Sequence, residues 1–156
     1  MIFRFILYGL MGLAVEVVWT AIYDKIFSKK SGWDLQGTTY IWMLPIYGMT
    51  VFLYEPAHNL IRDWTWQYRG LVYTVGIFAV EYAAGYALRW LGHCPWDYSE
   101  KTPLHLHGLI RFDYAPAWFI MGLAMEVVHD FLVDVTPLLY TVLRDKYGLL
   151  EWYLFN

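Results

Sequence analysis

The chain has 156 residues, 59 % of them apolar and 16 % charged, with nine Trp and fourteen Tyr. That is room for one domain, and the composition is that of a chain keeping apolar surface in lipid. A net charge of −3 without a basic run excludes nucleic acid as a partner, and the single Cys94 excludes an internal disulfide.

In chain order, the first apolar segment runs from about Phe3 to Phe27. Arg4 ahead of it imitates a signal peptide. Glu16 interrupts the run, however, and no small-x-small cleavage pattern follows, so a retained membrane helix is expected. A polar, Lys-containing loop (28–39) leads to a second segment, about Tyr40 to Ile61, which contains Pro45 and Pro56. After a turn centred on Trp64 and Trp66 comes a third segment, about Gly70 to Leu91. A long connection, Gly92 to Tyr114, carries Cys94-Pro95-Trp96-Asp97-Tyr98-Ser99 and the pair His105 and His107. The fourth segment, about Ala115 to Val135, is stopped by Pro137. The tail, Leu138 to Asn156, reads as an interfacial helix.

Each segment is long enough for a hydrocarbon core of about 30 Å, and none alternates as a barrel strand does. The expected fold is therefore all-α: one integral-membrane, multi-pass, antiparallel four-helix bundle with a structured loop between its third and fourth helices. Positive charges divide five against six between the two sides, so the positive-inside rule assigns no orientation.

Each apolar segment carries one glutamate near its middle: Glu16, Glu55, Glu81 and Glu126. Two are followed three residues later by histidine, His58 and His129, which puts each acid and imidazole on one helical face. The order Glu, Glu-x-x-His, Glu, Glu-x-x-His is that of the ligands in di-iron and di-manganese carboxylate bundles. About 0.2 such Glu-x-x-His pairs are expected by chance in this composition, so two are a signal. An ionised acid at a helix centre costs about 2.5–3.5 kcal/mol on insertion scales, and no Arg or Lys lies within the four cores to offset it. Protons or metal remain as the neutralising agents, and two divalent cations would cancel four carboxylates. Tyr47, Tyr82 and Asp130 are the candidate outer partners of the histidines. His105 and His107 read as solvated loop residues, and Cys94 as a packing residue.

Gly12-Leu-Ala-Val-Glu16-Val-Val and Gly122-Leu-Ala-Met-Glu126-Val-Val differ at one position, and each presents a small-residue face for close helix approach. In the loop, Pro95 stops the third helix, Asp97 and Ser99 can cap a turn, and Trp96 and Tyr98 can anchor it at headgroup level.

Cys94-Pro-Trp-Asp-Tyr-Ser99, Gly108-Leu-Ile110, Tyr114-Ala115, Trp118-Phe119 and Met125-Glu126 resemble the transmembrane protein 229 family. That family is related to bacterial proteins labelled putative ABC-transporter type IV (CmpB-like). Glu16-Val17, Trp42, Ile46-Tyr47-Gly48, Glu55, Tyr73-Thr74, Glu81 and Leu88-Arg89 agree with it. The resemblance implies an integral membrane protein, and it includes the four glutamates but neither His58 nor His129. No Gly-x-x-x-x-Gly-Lys-Ser/Thr nucleotide loop is present.

Two functional readings fit this pattern. One is a binuclear carboxylate site for two iron or manganese ions, held by Glu16, Glu55, His58, Glu81, Glu126 and His129 and acting oxidatively on a lipid-phase substrate. The other is a small proton-coupled permease or a non-catalytic subunit of a membrane complex. No catalytic residue is assigned. Membrane lipid is the expected surrounding, with a homo-oligomer or larger membrane assembly as partner.

Overall fold

The computed structural model describes residues 1–28 and 33–147. The chain is mostly helical, with four helices of twelve residues or more: α1 (Ile2–Tyr23), α3 (Thr50–Ile61), α4 (Trp66–Trp90) and α5 (Ala115–Tyr147). A short helix α2 (Met43–Gly48) precedes α3, and a two-stranded hairpin of β1 (His105–Leu106) and β2 (Ile110–Arg111) lies between α4 and α5. The chain divides into two compact units, Met1–Leu53 with Val135–Asn156, and Tyr54–Asp134.

In the first unit α1 is apolar on nearly all sides. It buries Tyr8 and Ala21 and exposes Ile6, Leu10, Val15, Val18 and Ile22, a surface suited to lipid. Glycines bring α1 and α2 together: a methyl at Gly9 would meet Leu44, one at Gly12 the Tyr47 ring, and one at Gly48 the Phe5 ring. The Thr20 hydroxyl takes the Thr38 N–H at 2.9 Å, which fastens the following loop to α1.

In the second unit the glycines again set the approach of helices. Gly70 on α4 faces the Phe119 ring on α5, and Gly122 on α5 faces Tyr73 on α4. The Tyr54 hydroxyl donates to the Gly122 carbonyl at 2.7 Å. The long connection is tied down by its own polar groups. Asp97 accepts the Ser99 N–H (2.8 Å), Tyr98 N–H donates to the Gly108 carbonyl (2.8 Å), and the Trp96 indole donates to the Leu109 carbonyl (3.0 Å). The hairpin pairs His105 with Arg111 and Leu106 with Ile110, and it turns through His107 and Gly108, both at positive φ. Arg111 pairs with Asp113, which holds the Asp113 carboxyl below its usual range, and lies over the Tyr114 ring.

Several expectations are corrected. The second segment is not one helix: the chain reaches α2 through a turn, with Pro45 in its first turn, and a further turn at Met49 separates α2 from α3. Pro137 does not stop the fourth helix, which runs on to Tyr147 with the Thr141 hydroxyl on the Pro137 carbonyl. Residues 138–147 thus belong to α5, and the rest of the expected interfacial tail lies outside the described residues. The four expected spans are matched in part by length and composition. Among the described residues two helices, Ile2–Phe27 and Trp66–Trp90, are long and apolar enough to cross a membrane. Helix α3 alone rises only about 18 Å, and α5 is interrupted by Glu126, His129, Asp130 and Asp134.

The hairpin turn gives a direct test. Gly108 has φ of 68° and a methyl there would strike Asp97 and Ser99, whereas Gly92, at φ 74°, faces open space. Gly92→Ala should cost about 1–2 kcal/mol, from the left-handed backbone alone. Gly108→Ala should cost distinctly more, seen as a larger drop in the thermal midpoint of the detergent-solubilised protein.

Candidate functional site

Three helices of the second unit each contribute one stripe of polar residues at helical spacing. Helix α3 and its end supply Glu55, His58 and Arg62; α4 supplies Arg69 and Tyr73; α5 supplies Glu126, His129 and Asp130. Spacings of three, four and seven keep each stripe on one face. Glu55, His58 and His129 are only 6 %, 2 % and 3 % exposed, so their polar atoms must find partners within the protein.

Glu126 is the hub. Arg69 donates to it twice, from Nε to Oε1 at 2.7 Å and from Nη2 to Oε2 at 2.9 Å. The Tyr73 hydroxyl donates a third bond, to Oε1 at 2.9 Å. The remaining Arg69 nitrogen, Nη1, donates to the carbonyls of Trp64 (2.7 Å) and Arg62 (3.2 Å) in the turn before α4. One guanidinium thereby serves both the open carbonyls of that turn and a half-buried carboxylate on α5.

The chain of bonds continues to His58, whose Nδ1 lies 2.8 Å from the Tyr73 hydroxyl oxygen. A hydroxyl has one proton, and that of Tyr73 is given to Glu126. Its oxygen therefore accepts, and His58 Nδ1 carries the hydrogen. His58 Nε2 is then a bare lone pair. It is buried without a hydrogen-bond partner, and the nearest carboxylate oxygen, Oδ1 of Asp130, stands 3.9 Å away. The other Asp130 oxygen accepts from Arg62 at 2.8 Å. A ring nitrogen of His129 completes a trio in which the atoms of His58, His129 and Asp130 lie within 4.8 Å of one another. The two imidazoles meet edge to face at 4.9 Å, Tyr54 stacks on His58, and His129 Nδ1 is 3.8 Å from Glu55 Oε1.

The structure thus gathers four of the six expected ligands, Glu55, His58, Glu126 and His129, in one neighbourhood and adds Asp130, expected only as an outer partner. The other two glutamates have different settings. Glu16, in the first unit, accepts from the Thr39 hydroxyl at 2.6 Å. Glu81 accepts from the Tyr98 hydroxyl at 3.1 Å, and burial beside Glu81 pushes the Tyr98 phenol well above its ordinary range, so it keeps the proton it donates. Tyr82 bonds to His107 Nδ1 at 2.8 Å and Tyr47 packs on Gly12. Trp96 and Tyr98 are half-buried and tied to Leu109 and Glu81, so their first role is to fasten the loop to α4.

One premise from the sequence is overturned. The cores hold no Arg or Lys, yet Glu126 is neutralised by arginine, because Arg69 stands at the first turn of α4 and its stem reaches inward. Arg62 does the same for Asp130 from the end of α3. Arg69, Tyr73 and Arg62 were absent from the expected site. The spacing of four between Arg69 and Tyr73, and between His58 and Arg62, is the signal that would have found them.

A family model with the description "Putative ABC-transporter type IV" matches residues 3–150. No solved structure matches the chain.

Removing one partner of the Arg69–Glu126 pair strands the other in a half-buried place. Arg69→Met should lower the stability by about 3 kcal/mol. The double variant Arg69→Met/Glu126→Leu should recover most of that loss. Thermal unfolding of the three proteins in one detergent measures it.

Proposed function

The chain belongs to the putative ABC-transporter type IV family, and on that premise we propose that it is a multi-pass membrane protein holding one first-row divalent metal ion. The ligands are His58 Nε2, His129 and Asp130, with Glu55 and Glu126 behind the imidazoles. The observation that carries this reading is the buried, unpartnered Nε2 of His58 facing a carboxylate oxygen. Both atoms are acceptors, and a cation between them makes the pairing favourable. Two imidazoles and a carboxylate suit iron, zinc, manganese or nickel and are a poor set for magnesium or calcium.

The spacing supports a site that closes on its ion. Three atoms within 4.8 Å of one another have a common centre no more than about 2.8 Å from each, against about 2.0–2.2 Å for a zinc bond. A contraction of less than about 1 Å per ligand forms the bonds. The outer groups are those a metal-bound histidine uses: Nδ1–H of His58 on Tyr73, and Glu55 beside His129. The sequence pattern called for two ions and six ligands. The settings of Glu16 and Glu81, each on a hydroxyl from a loop, favour a single ion.

Cobalt(II) or zinc titrated into the detergent-solubilised protein tests this. One ion should bind per chain, and His58→Ala, His129→Ala or Asp130→Asn should each weaken binding by at least about tenfold. Glu16→Gln and Glu81→Gln should leave the stoichiometry unchanged. Binding that the histidine variants do not alter, or less than a tenth of an ion per chain, overturns the proposal.

A further inference from the structure

We infer that Tyr73 is a positioning residue: through its bond to Glu126 it dictates which nitrogen of His58 carries hydrogen, and so which nitrogen is offered to a cation. The inference rests on the metal reading for its purpose, but its content is a property of the protein alone.

The number of donors decides the ring's hydrogen position. Glu126 is held ionised by two bonds from Arg69, so it can only accept. Tyr73 lies between two possible acceptors, Glu126 Oε1 at 2.9 Å and His58 Nδ1 at 2.8 Å, with one proton to give. If it gives that proton to Glu126, His58 donates from Nδ1 and both short contacts are hydrogen bonds. If it gives the proton to His58, the contact to Glu126 sets oxygen against oxygen with no hydrogen between. The hydrogen on His58 Nε2 then points to Asp130 Oδ1 at 3.9 Å, beyond hydrogen-bonding reach. The first arrangement makes two bonds and the second makes one, so the ring is fixed with Nε2 bare. Arg69, which touches neither histidine nor their shared space, reaches that nitrogen through three successive contacts.

The same count predicts different outcomes for two variants that remove one proton acceptor or one proton donor. In the double variant Arg69→Met/Glu126→Leu the acceptor is removed without stranding the guanidinium. Tyr73 then has His58 Nδ1 as the remaining acceptor of the pair, which moves the ring hydrogen to Nε2 and blocks the metal. In Tyr73→Phe the relay is cut but not reversed, and a metal can still select the bare-Nε2 form.

Nitrogen-15 NMR of histidine-labelled, metal-free protein in detergent reads the hydrogen position directly, with His58 assigned by its absence in His58→Ala. Wild type should show a protonated Nδ1 and an unprotonated Nε2 at His58, and Tyr73→Phe a mixture of the two forms. Cobalt(II) affinity should fall by about tenfold in Tyr73→Phe and about a hundredfold in Arg69→Met/Glu126→Leu. A shifted cobalt absorption spectrum in Tyr73→Phe separates loss of orientation from loss of packing. Should the double variant not fold, Tyr73→Phe decides alone. Hydrogen on Nε2 in the wild type, or a Tyr73→Phe protein with the wild-type nitrogen pattern, overturns the inference. Wild type that binds no cobalt but shows the expected nitrogen pattern overturns only the metal reading.

Discussion

A carboxylate removed from water must be answered by donors, and in this protein one carboxylate, Glu126, organises a whole unit by being answered three times. Arg69 supplies two of the bonds and Tyr73 the third, all from helix α4 to helix α5. The arrangement is costly to leave half-made, because either partner alone would be a stranded charge. It also has direction. Glu126 can only accept, so every hydrogen in the chain from Arg69 to His58 points a set way, and the last atom of the chain is an acceptor without a donor.

Around that core the protein uses two unlike kinds of contact. Glycines at 70 and 122 let α4 and α5 approach until the Phe119 and Tyr73 rings lie against backbone. Polar stripes at three- and four-residue spacing then meet across the gap. The first kind of contact makes the second possible, since hydroxyl, carboxylate and guanidinium groups reach one another at 2.7–2.9 Å only when the helix axes are close. The near-repeat of Gly12-Leu-Ala-Val-Glu16 and Gly122-Leu-Ala-Met-Glu126 follows this rule twice: in each unit the glycine receives a tyrosine, Tyr47 or Tyr73. The glutamates then part ways, one meeting a threonine and the other an arginine and a tyrosine.

How much of this could be read in the sequence depends on whether a feature is periodic. Helices α1 and α4 were legible to within a few residues because their apolar runs are unbroken, and the association of Glu55, His58, Glu126 and His129 followed from two i, i+3 pairs. The break at Met49 was hidden, since two prolines in a run of apolar residues do not say which of them the helix tolerates. Pro137 misled in the opposite sense: a proline costs one rung, and the turns on either side of α5 carry the helix across it. The arginines were hidden by their position at helix ends, where a sequence assigns them to water. A stem of several carbons can point inward instead, and Arg69 does. The places of Glu16 and Glu81 depend on Thr39 and Tyr98, which come from non-repeating segments whose course no pattern announces.

The close seat of Tyr73 against Gly122 carries a consequence for how such a protein can vary. Any side chain at 122 would push the phenol aside, and the phenol is what stands between an acid and an imidazole. Gly122, with no functional group of its own, is therefore a steric guardian of where a hydrogen resides on a ring of another helix. A change in packing and a change in chemistry are not independent here.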